Sequence, residues 1–266
     1  MHTGKVSGSE RDEEEPPIVL TAARLLERGK RHVISSGITP SGPIHVGSMR
    51  EILTADAVAR AVHDAGGKAE LVYVADTADP LRKVYPFLDN NYAEWIGHPL
   101  AEIPAPEGDG SYADYFLNPF FEALREVGVA PRVVDNHAAY REGRFADCTR
   151  AAVESAARAR EILERVSGRQ LPRDWFPWTC RDSDGRLVEG RVTKCEWPIL
   201  EFENEAGETV RNNLAKGEGK LPWRLDWPAR RSWTAVTSAA LVKDDVTRGR
   251  RLETGTDTTC SLDPCI

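Results

Sequence analysis

The chain has 266 residues, of which 41% are hydrophobic and 29% charged, and its formal net charge is -7. These values are typical of one or two globular domains and argue against a protein that coats nucleic acid non-specifically. No apolar run approaches the roughly 20 residues that a membrane-spanning helix needs, so no membrane association is expected. The polar N-terminal stretch lacks the apolar centre of a secretory signal, which predicts a cytoplasmic location.

The first organised segment has the pattern of a βαβ unit. Residues 1–17 are polar and charged and are expected to be a disordered tail. A helix is predicted over 18–29, a buried strand over 32–35, a helix over 48–65 and a second strand over 70–76. A strand, a helix and a strand within about 45 residues predict neighbouring parallel strands and an α/β fold.

The pattern changes after this unit. Residues 86–110 are rich in Pro, Gly and Asn, and a helix follows over 113–127. A short strand, VAPRVVDN, precedes one long alanine-rich helix over 145–167 that should end at Gly168. Alternating turn signals and β-like runs then predict a small antiparallel sheet over 175–212.

The five cysteines are widely spaced, and their odd number favours reduced thiols over a disulfide framework. Cys180 and Cys195 resemble one half of a zinc knuckle, but no second Cys/His pair completes four ligands. We therefore predict no metal site built from protein ligands.

Between the first strand and its helix lies SGITPSGPIHVGSMRE, residues 36–51. A strand that leads through a glycine-rich turn into a helix exposes backbone N–H groups that bind phosphates. Ser48 and Glu51 have the spacing of a capping box, which would start the helix near Met49. His45 could then donate to a phosphate oxygen, and Gly47 would let a nucleotide approach the backbone. An isolated His-x-Gly also occurs by chance, and a structural histidine is the alternative. The turn has neither the Rossmann G-x-G-x-x-G nor the P-loop pattern.

Five phrases in order over about residues 30–230 carry a family resemblance: SGITPSGPIHVGSMREILTADAV, ADTADPLRKVYPFL, SYADYFLNPF, ILERVSGRQLPRDWFP and KGEGKLPWRLDWPAR. Together they resemble the archaeal-type class I lysyl-tRNA synthetases, and PSGPIHVGS corresponds to the HIGH signature. The resemblance implies a Rossmann-like parallel sheet interrupted by an α+β connective insertion. The first half of that domain would span 18–85, the insertion 86–215, and the start of the second half 216–266.

The resemblance also implies an activity and its substrates. Enzymes of this family activate lysine with ATP and Mg²⁺ and transfer it from lysyl-adenylate to tRNA(Lys). Catalytic positions would be His45, Gly47 and Ser48. ATP would contact Pro40, Ser41, Gly42, His45 and Gly47.

Lysine would be bound by Gly37, Thr39, Asp76, Trp223 and Trp227. A tryptophan face can cover the aliphatic stem of lysine or hold a cation, although packing inside the fold is an equally good account of each tryptophan. Asp76 and Asp79 follow the second strand, where either could pair with the substrate ammonium or simply stabilise a turn. Arg82 and Lys83 could meet phosphate or tRNA, or be a solvated pair.

The sequence departs from the family pattern after Arg230. Arg231 replaces a tryptophan, and Val242–Asp245 replaces a G-K-D-H phrase. No K-M-S-K-S loop or anticodon-binding region follows, so we expect a fragment with impaired activity. Two alternatives remain: a non-catalytic synthetase-derived fragment that binds tRNA or a protein, and another nucleotidyltransferase with an HxGH-type loop. The oligomeric state is not predicted.

Overall fold

The protein is described by a computed structural model that covers residues 16–234, with the side chains of 231–234 left aside. Its centre is a three-stranded parallel sheet in the order β1–β2–β3, with β1 over Arg31–Ile38, β2 over Lys68–Ala75 and β3 over Arg132–Asp135. The predicted βαβ unit and the α/β class are confirmed. The first strand is longer than the run of β-branched residues indicated, and it continues to the start of the glycine-rich turn.

Two helices pack beside β1. Helix α1 covers Pro17–Glu27 and α2 covers Val46–Asp64, close to their predicted limits. Their apolar residues at helical spacing meet Ile34 of the sheet in one buried cluster, whose main members are Ala22, Leu25, Ala55, Val58, Ala59 and Val62. This packing holds the N-terminus of α2 at the carboxyl end of β1.

Strand β2 separates two further cores because its side chains alternate between the faces of the sheet. Tyr73 and Ala75 pack with helix α3, which covers Tyr112–Glu126 and contains Pro119. Val72 and Val74 pack on the other face, against residues from the second half of the described chain. Both cores end at the carboxyl edge of the sheet, where loops replace the strands.

The helix predicted over 145–167 is present, but it is two helices rather than one. After a short α4 over Asn136–Arg141, the chain forms α5 over Ala146–Glu154 and α6 over Ala156–Ser167, with a break at Ser155. In a straight helix of about 100° per residue, Val153 and Ala159 would lie on different faces. The break allows both of them to be buried in the same core. Helix α6 ends at Gly168 in the left-handed conformation, as predicted.

The antiparallel strands expected over 175–212 are present as two small sheets. One has the order β5–β4–β9, and the other has the order β6–β7–β8. Their strands are β4 Thr179–Arg181, β5 Leu187–Val188, β6 Arg191–Glu196, β7 Ile199–Glu203, β8 Thr209–Asn213 and β9 Gly219–Lys220. Strand β3 lies within the range expected for the insertion and yet joins the parallel sheet, so the boundaries at 85 and 215 stay a prediction.

The described chain ends in helix α7, Trp223–Thr234, which sequence periodicity did not predict because Pro228 lies inside it. Buried Leu225 and Ala229 fix α7 to the core beneath β2. No helix within residues 16–234 is long and apolar enough to cross a membrane.

Candidate functional site

A cavity of about 470 Å³ lies at the carboxyl ends of β1 and β2. Its walls come from four places: the end of β1, the first turns of α2, the turn after β2, and the segment from β9 to α7. Open α/β sheets bind ligands at the carboxyl ends of their strands, because the loops there diverge and leave a crevice.

The cavity brings together all five residues that the resemblance assigned to lysine: Gly37, Thr39, Asp76, Trp223 and Trp227. The two tryptophans are the most distant from the others in sequence, and α7 carries them to the ends of β1 and β2. Trp223 is 64% exposed at the rim, whereas Trp227 is half-buried. Their roles in binding stay a prediction.

Gly37 shapes the floor of the cavity. A Cβ atom at this position would lie 2.6 Å from the backbone oxygen of Val74 and 3.3 Å from Cη2 of Trp227. The first distance is closer than real Cβ contacts allow, so any side chain would displace the neighbouring strand. The absence of a side chain therefore lets the indole approach the strand.

One side of the cavity is a buried network of charges around Arg230. Its guanidinium binds the carboxylate of Asp76, and its Nε lies 2.5 Å from Oδ1 of Asp226. Asn136 approaches both carboxylates through Nδ2 at 3.4 Å, and the Tyr140 hydroxyl donates to Asp226 at 3.1 Å. Burial raises the pKa of Asp76 to about 6, despite the opposing effect of Arg230.

A second network fixes the direction of the Thr39 hydroxyl. Lys220 binds Asp79, and Thr39 Oγ1 donates to the other oxygen of that carboxylate at 2.7 Å. Burial opposes the ionisation of Asp79, but Lys220 and Thr39 together hold its pKa below the ordinary value. An ionised carboxylate only accepts hydrogen bonds, so the Thr39 proton is committed to it. The Thr39 oxygen is therefore an acceptor toward the cavity.

These two networks bear on the prediction that Asp76 or Asp79 could pair with a substrate ammonium. Each carboxylate is already bound to a cationic side chain, by Arg230 and Lys220 respectively. A ligand ammonium would have to share them. Glu51 also lines the cavity, where its carboxylate accepts from Ser36 Oγ at 3.3 Å.

The predicted capping box is wrong. Helix α2 begins at Val46 with His45 as its N-cap, so Ser48 lies inside the first turn. Ser48 and Glu51 instead line the cavity, one turn apart on the same helix. Of the three proposed catalytic positions, Ser48 alone lines it.

His45 is exposed and organised by Gly47. Its Nδ1 accepts the Gly47 N–H at 3.0 Å, so the proton of the neutral ring resides on Nε2, which is a hydrogen-bond donor. A Cβ at residue 47 would lie 2.8 Å from Cε1 and 2.9 Å from Nδ1 of the imidazole. A side chain at residue 47 would therefore have to displace the imidazole of His45, and the approach of a nucleotide to Gly47 stays a prediction.

The remaining predicted ATP residues form the turn before His45. Among the side chains described, Tyr112 holds this turn by donating from its hydroxyl to the Ser41 carbonyl at 2.8 Å. Next to it, the tip of the Phe87 ring occupies the space that a Cβ on Gly42 would need, at 2.8 Å. None of the five residues assigned to ATP is among the cavity-lining residues; these are Pro40, Ser41, Gly42, His45 and Gly47.

We predict that Tyr112→Phe loosens this turn without unfolding the protein. The aromatic packing of residue 112 is retained, but the Ser41 carbonyl loses its buried donor. Amide hydrogen exchange of residues 41–45 should accelerate about tenfold, corresponding to about 1.4 kcal/mol, a typical value for one hydrogen bond. Tyr92→Phe, which removes a hydroxyl that donates to Pro104, serves as the control. Equal exchange in the two variants would contradict the prediction.

Sequence reasoning missed several cavity residues. Lys220, Asp226 and Arg230 line the site but were not singled out. A signal was present: Trp223, Asp226, Trp227 and Arg230 have the i, i+3, i+4, i+7 spacing of one helical face. Besides the presence of Pro228, the polar and aromatic rather than aliphatic character of this stripe explains why the phrase was not recognised as a helix. The departure noted at 242–245, the side chain of Arg231 and residues 1–15 of the tail expected over 1–17 lie outside what the structure describes.

Comparisons with known proteins show which proteins the sequence of the chain resembles. A family model described as tRNA synthetases class I (K) matches residues 18–260. A lysine–tRNA ligase of Methanosarcina barkeri is 43% identical over 245 residues, covering 88% of this chain and 44% of the relative. A lysine–tRNA ligase of Thermoplasma volcanium is 41% identical, and the match covers 84% of this chain and 44% of the relative. One of Archaeoglobus fulgidus is also 41% identical, and the match covers 88% of this chain and 48% of the relative. The chain thus spans less than half the length of these relatives.

Proposed function

The chain belongs to the class I lysyl-tRNA synthetases, and we propose that its cavity binds L-lysine for activation by ATP and transfer to tRNA(Lys). The observation that carries the proposal is the acceptor created at Thr39 beside a tryptophan floor. An amino acid that presents its ammonium to this oxygen would place its aliphatic stem along Trp227. Glu51, on the α2 side, supplies a carboxylate for a second cationic group.

The glycine-rich turn is the proposed ATP site. Its amides and the N-terminus of α2 suit phosphate oxygens, and the Nε2 donor of His45 suits charge that develops at the α-phosphate. The carboxylate of a bound lysine would attack that phosphorus and release pyrophosphate. Positioning and charge stabilisation would supply the catalysis, with no covalent enzyme intermediate.

Mg²⁺ is part of the proposed reaction, but the described residues contain no group of three or more His, Cys, Asp or Glu arranged to hold a metal. Mg²⁺ usually keeps several water ligands and binds through substrate phosphates, so the proposed reaction does not require such a group. We also propose that residues 86–215 act largely as the connective insertion between two halves of the nucleotide-binding fold, although β3 contributes to the parallel sheet.

The test of the lysine site is Thr39→Val, which keeps the shape of the side chain and removes the acceptor oxygen. We expect the Kd for lysine, measured by isothermal titration calorimetry, to rise about tenfold or more, because a hydrogen bond to a charged group is lost. Thr54→Val on α2, whose hydroxyl donates to the Arg50 carbonyl, is the matched control. The Kd for ATP should stay unchanged in both variants.

Two results would reject the proposal. One is a wild-type chain that binds arginine or ornithine as well as lysine, and the other is a Thr39→Val variant with the affinity of the wild type. Titration with the twenty amino acids in the presence of ATP separates this function from that of another nucleotidyltransferase, which would show no preference for lysine.

A further inference from the structure

A short segment runs beside the cavity, and only its first residue lines the cavity wall. Residues 82–87 have the sequence RKVYPF, and we name Arg82, Lys83, Tyr85 and Phe87 the aromatic-basic strip. The strip begins at Arg82, which lines the cavity, and ends at Phe87, which touches Gly42 of the glycine-rich turn. We propose that this strip binds the unpaired 3′ end of a tRNA, an inference that rests on the proposed function and assigns it an RNA-binding surface.

The aromatic part of the strip is a preformed stack. The rings of Tyr85 and Phe87 are nearly parallel, with centroids 5.5 Å apart and an interplanar angle of 6°. Phe116 supports Phe87 edge-on from the core, with ring centroids 5.6 Å apart. Phe87 nevertheless remains 49% exposed, so part of a large apolar ring meets solvent next to the proposed active site. Aromatic rings held in this way offer surfaces on which unpaired bases stack.

The basic part of the strip is available to phosphates. Arg82 and Lys83 are exposed, and within residues 16–234 neither of them forms a salt bridge. Lys83 Nζ lies 5.3 Å from the centroid of the Tyr85 ring, which places a cation beside the stack. Most exposed arginines of the connective region contrast with this, because they pair with carboxylates, as Arg150 does with Glu154 and Arg158 with Glu161. A local positive charge on a chain of net charge -7 is the pattern expected for one docking site rather than general affinity.

The position of the strip indicates which part of a tRNA would bind there. Transfer of lysine requires the terminal ribose of the RNA to reach the cavity, and the nucleotides before it must leave along an adjoining surface. The strip joins the cavity rim to the glycine-rich turn and combines stacking faces with cations, which is the chemistry of single-stranded nucleic acid binding. A paired RNA end has its bases stacked internally, so it would not engage the rings in this way.

The test uses a fluorescein-labelled single-stranded RNA octamer that ends in CCA and measures its Kd by fluorescence anisotropy at low salt. Phe87→Leu keeps an apolar contact with Gly42 but loses the stacking face, and it should raise the Kd about tenfold. Phe87→Trp should bind at least as tightly as the wild type. An octamer with abasic sites at its last three positions should bind the wild type as weakly as the intact octamer binds Phe87→Leu.

The cation is tested by salt dependence. Lys83→Gln should reduce the slope of log Kd against log salt by about one, whereas Arg158→Gln on α6 should leave it unchanged. Wild-type affinity in Phe87→Leu, equal binding of intact and abasic octamers, or no RNA binding by the wild type would each overturn the proposal. Lysine binding is measured in parallel on the same variants. RNA binding that depends on Phe87 in a chain that does not bind lysine would reject the proposed function and leave the strip standing.

Discussion

Replacing Arg230 by methionine should lower the free energy of unfolding by about 3–5 kcal/mol, the range measured when one partner of a buried ion pair is removed. Arg230 is 4% exposed, and its two carboxylate partners, Asp76 and Asp226, are 7% and 1% exposed. Methionine fills much of the same volume but leaves two acidic groups in the interior without this cation. Urea denaturation at neutral pH, followed by circular dichroism, measures the effect.

The control for this prediction is Arg158→Met on the exposed face of α6. Arg158 pairs with Glu161, but its side chain is 58% exposed, and such surface pairs contribute at most about 1 kcal/mol. A second variant, Arg230→Met combined with Asp76→Asn, removes one of the two carboxylates that lose Arg230 and should recover part of the lost stability. If Arg230→Met and Arg158→Met were equally stable, the buried network would not have the energetic role that its geometry implies.

Gly37→Ala should weaken lysine binding at least tenfold and lower the free energy of unfolding by about 1–3 kcal/mol. The added Cβ would lie 2.6 Å from a backbone oxygen of β2, which a rotamer change cannot relieve. Strand β1 would have to shift at the position that supports Trp227, and the cavity floor would move with it. Calorimetric titration with lysine and urea denaturation measure the two effects separately.

Ser35→Ala is the control, because residue 35 lies two positions earlier on the same strand and its replacement removes atoms rather than adding one. It should leave lysine affinity unchanged. Wild-type lysine affinity in Gly37→Ala would show that the contact between Gly37 and Trp227 does not shape the binding site.

Much of the fold could be predicted because its first unit is locally consistent. Apolar residues at helical spacing, β-branched strands and glycine stops all indicated the same βαβ order, and they placed the glycine-rich turn at the end of β1. The break at Ser155 could not be predicted in this way. It depends on which faces of α5 and α6 meet the core, and that is a property of tertiary packing rather than of helix propensity.

The site was predictable only in part. The resemblance identified the five residues assigned to lysine, which the structure gathers around one cavity. The ion pairs that organise them were not visible, because Arg230 and Asp76 are 154 positions apart and Lys220 and Asp79 are 141 apart. The sequence position of a carboxylate does not indicate which cationic side chain it contacts in the folded chain. For this reason the sequence left two roles open for Asp76 and Asp79, an ammonium partner or a turn residue, and did not indicate that each binds a cationic side chain of the chain itself.

These same long-range ion pairs bear on how the molecule reaches its native state. Three of the four walls of the cavity arise early in the chain, and the fourth arrives only with the segment from β9 to α7, so loop closure must precede any ligand pocket. A fragment that ends before α7 would have the glycine-rich turn but no amino-acid receptor. Lysine would bind only the folded chain in which α7 completes the cavity, and not the partially folded forms. The melting temperature should therefore rise with lysine concentration.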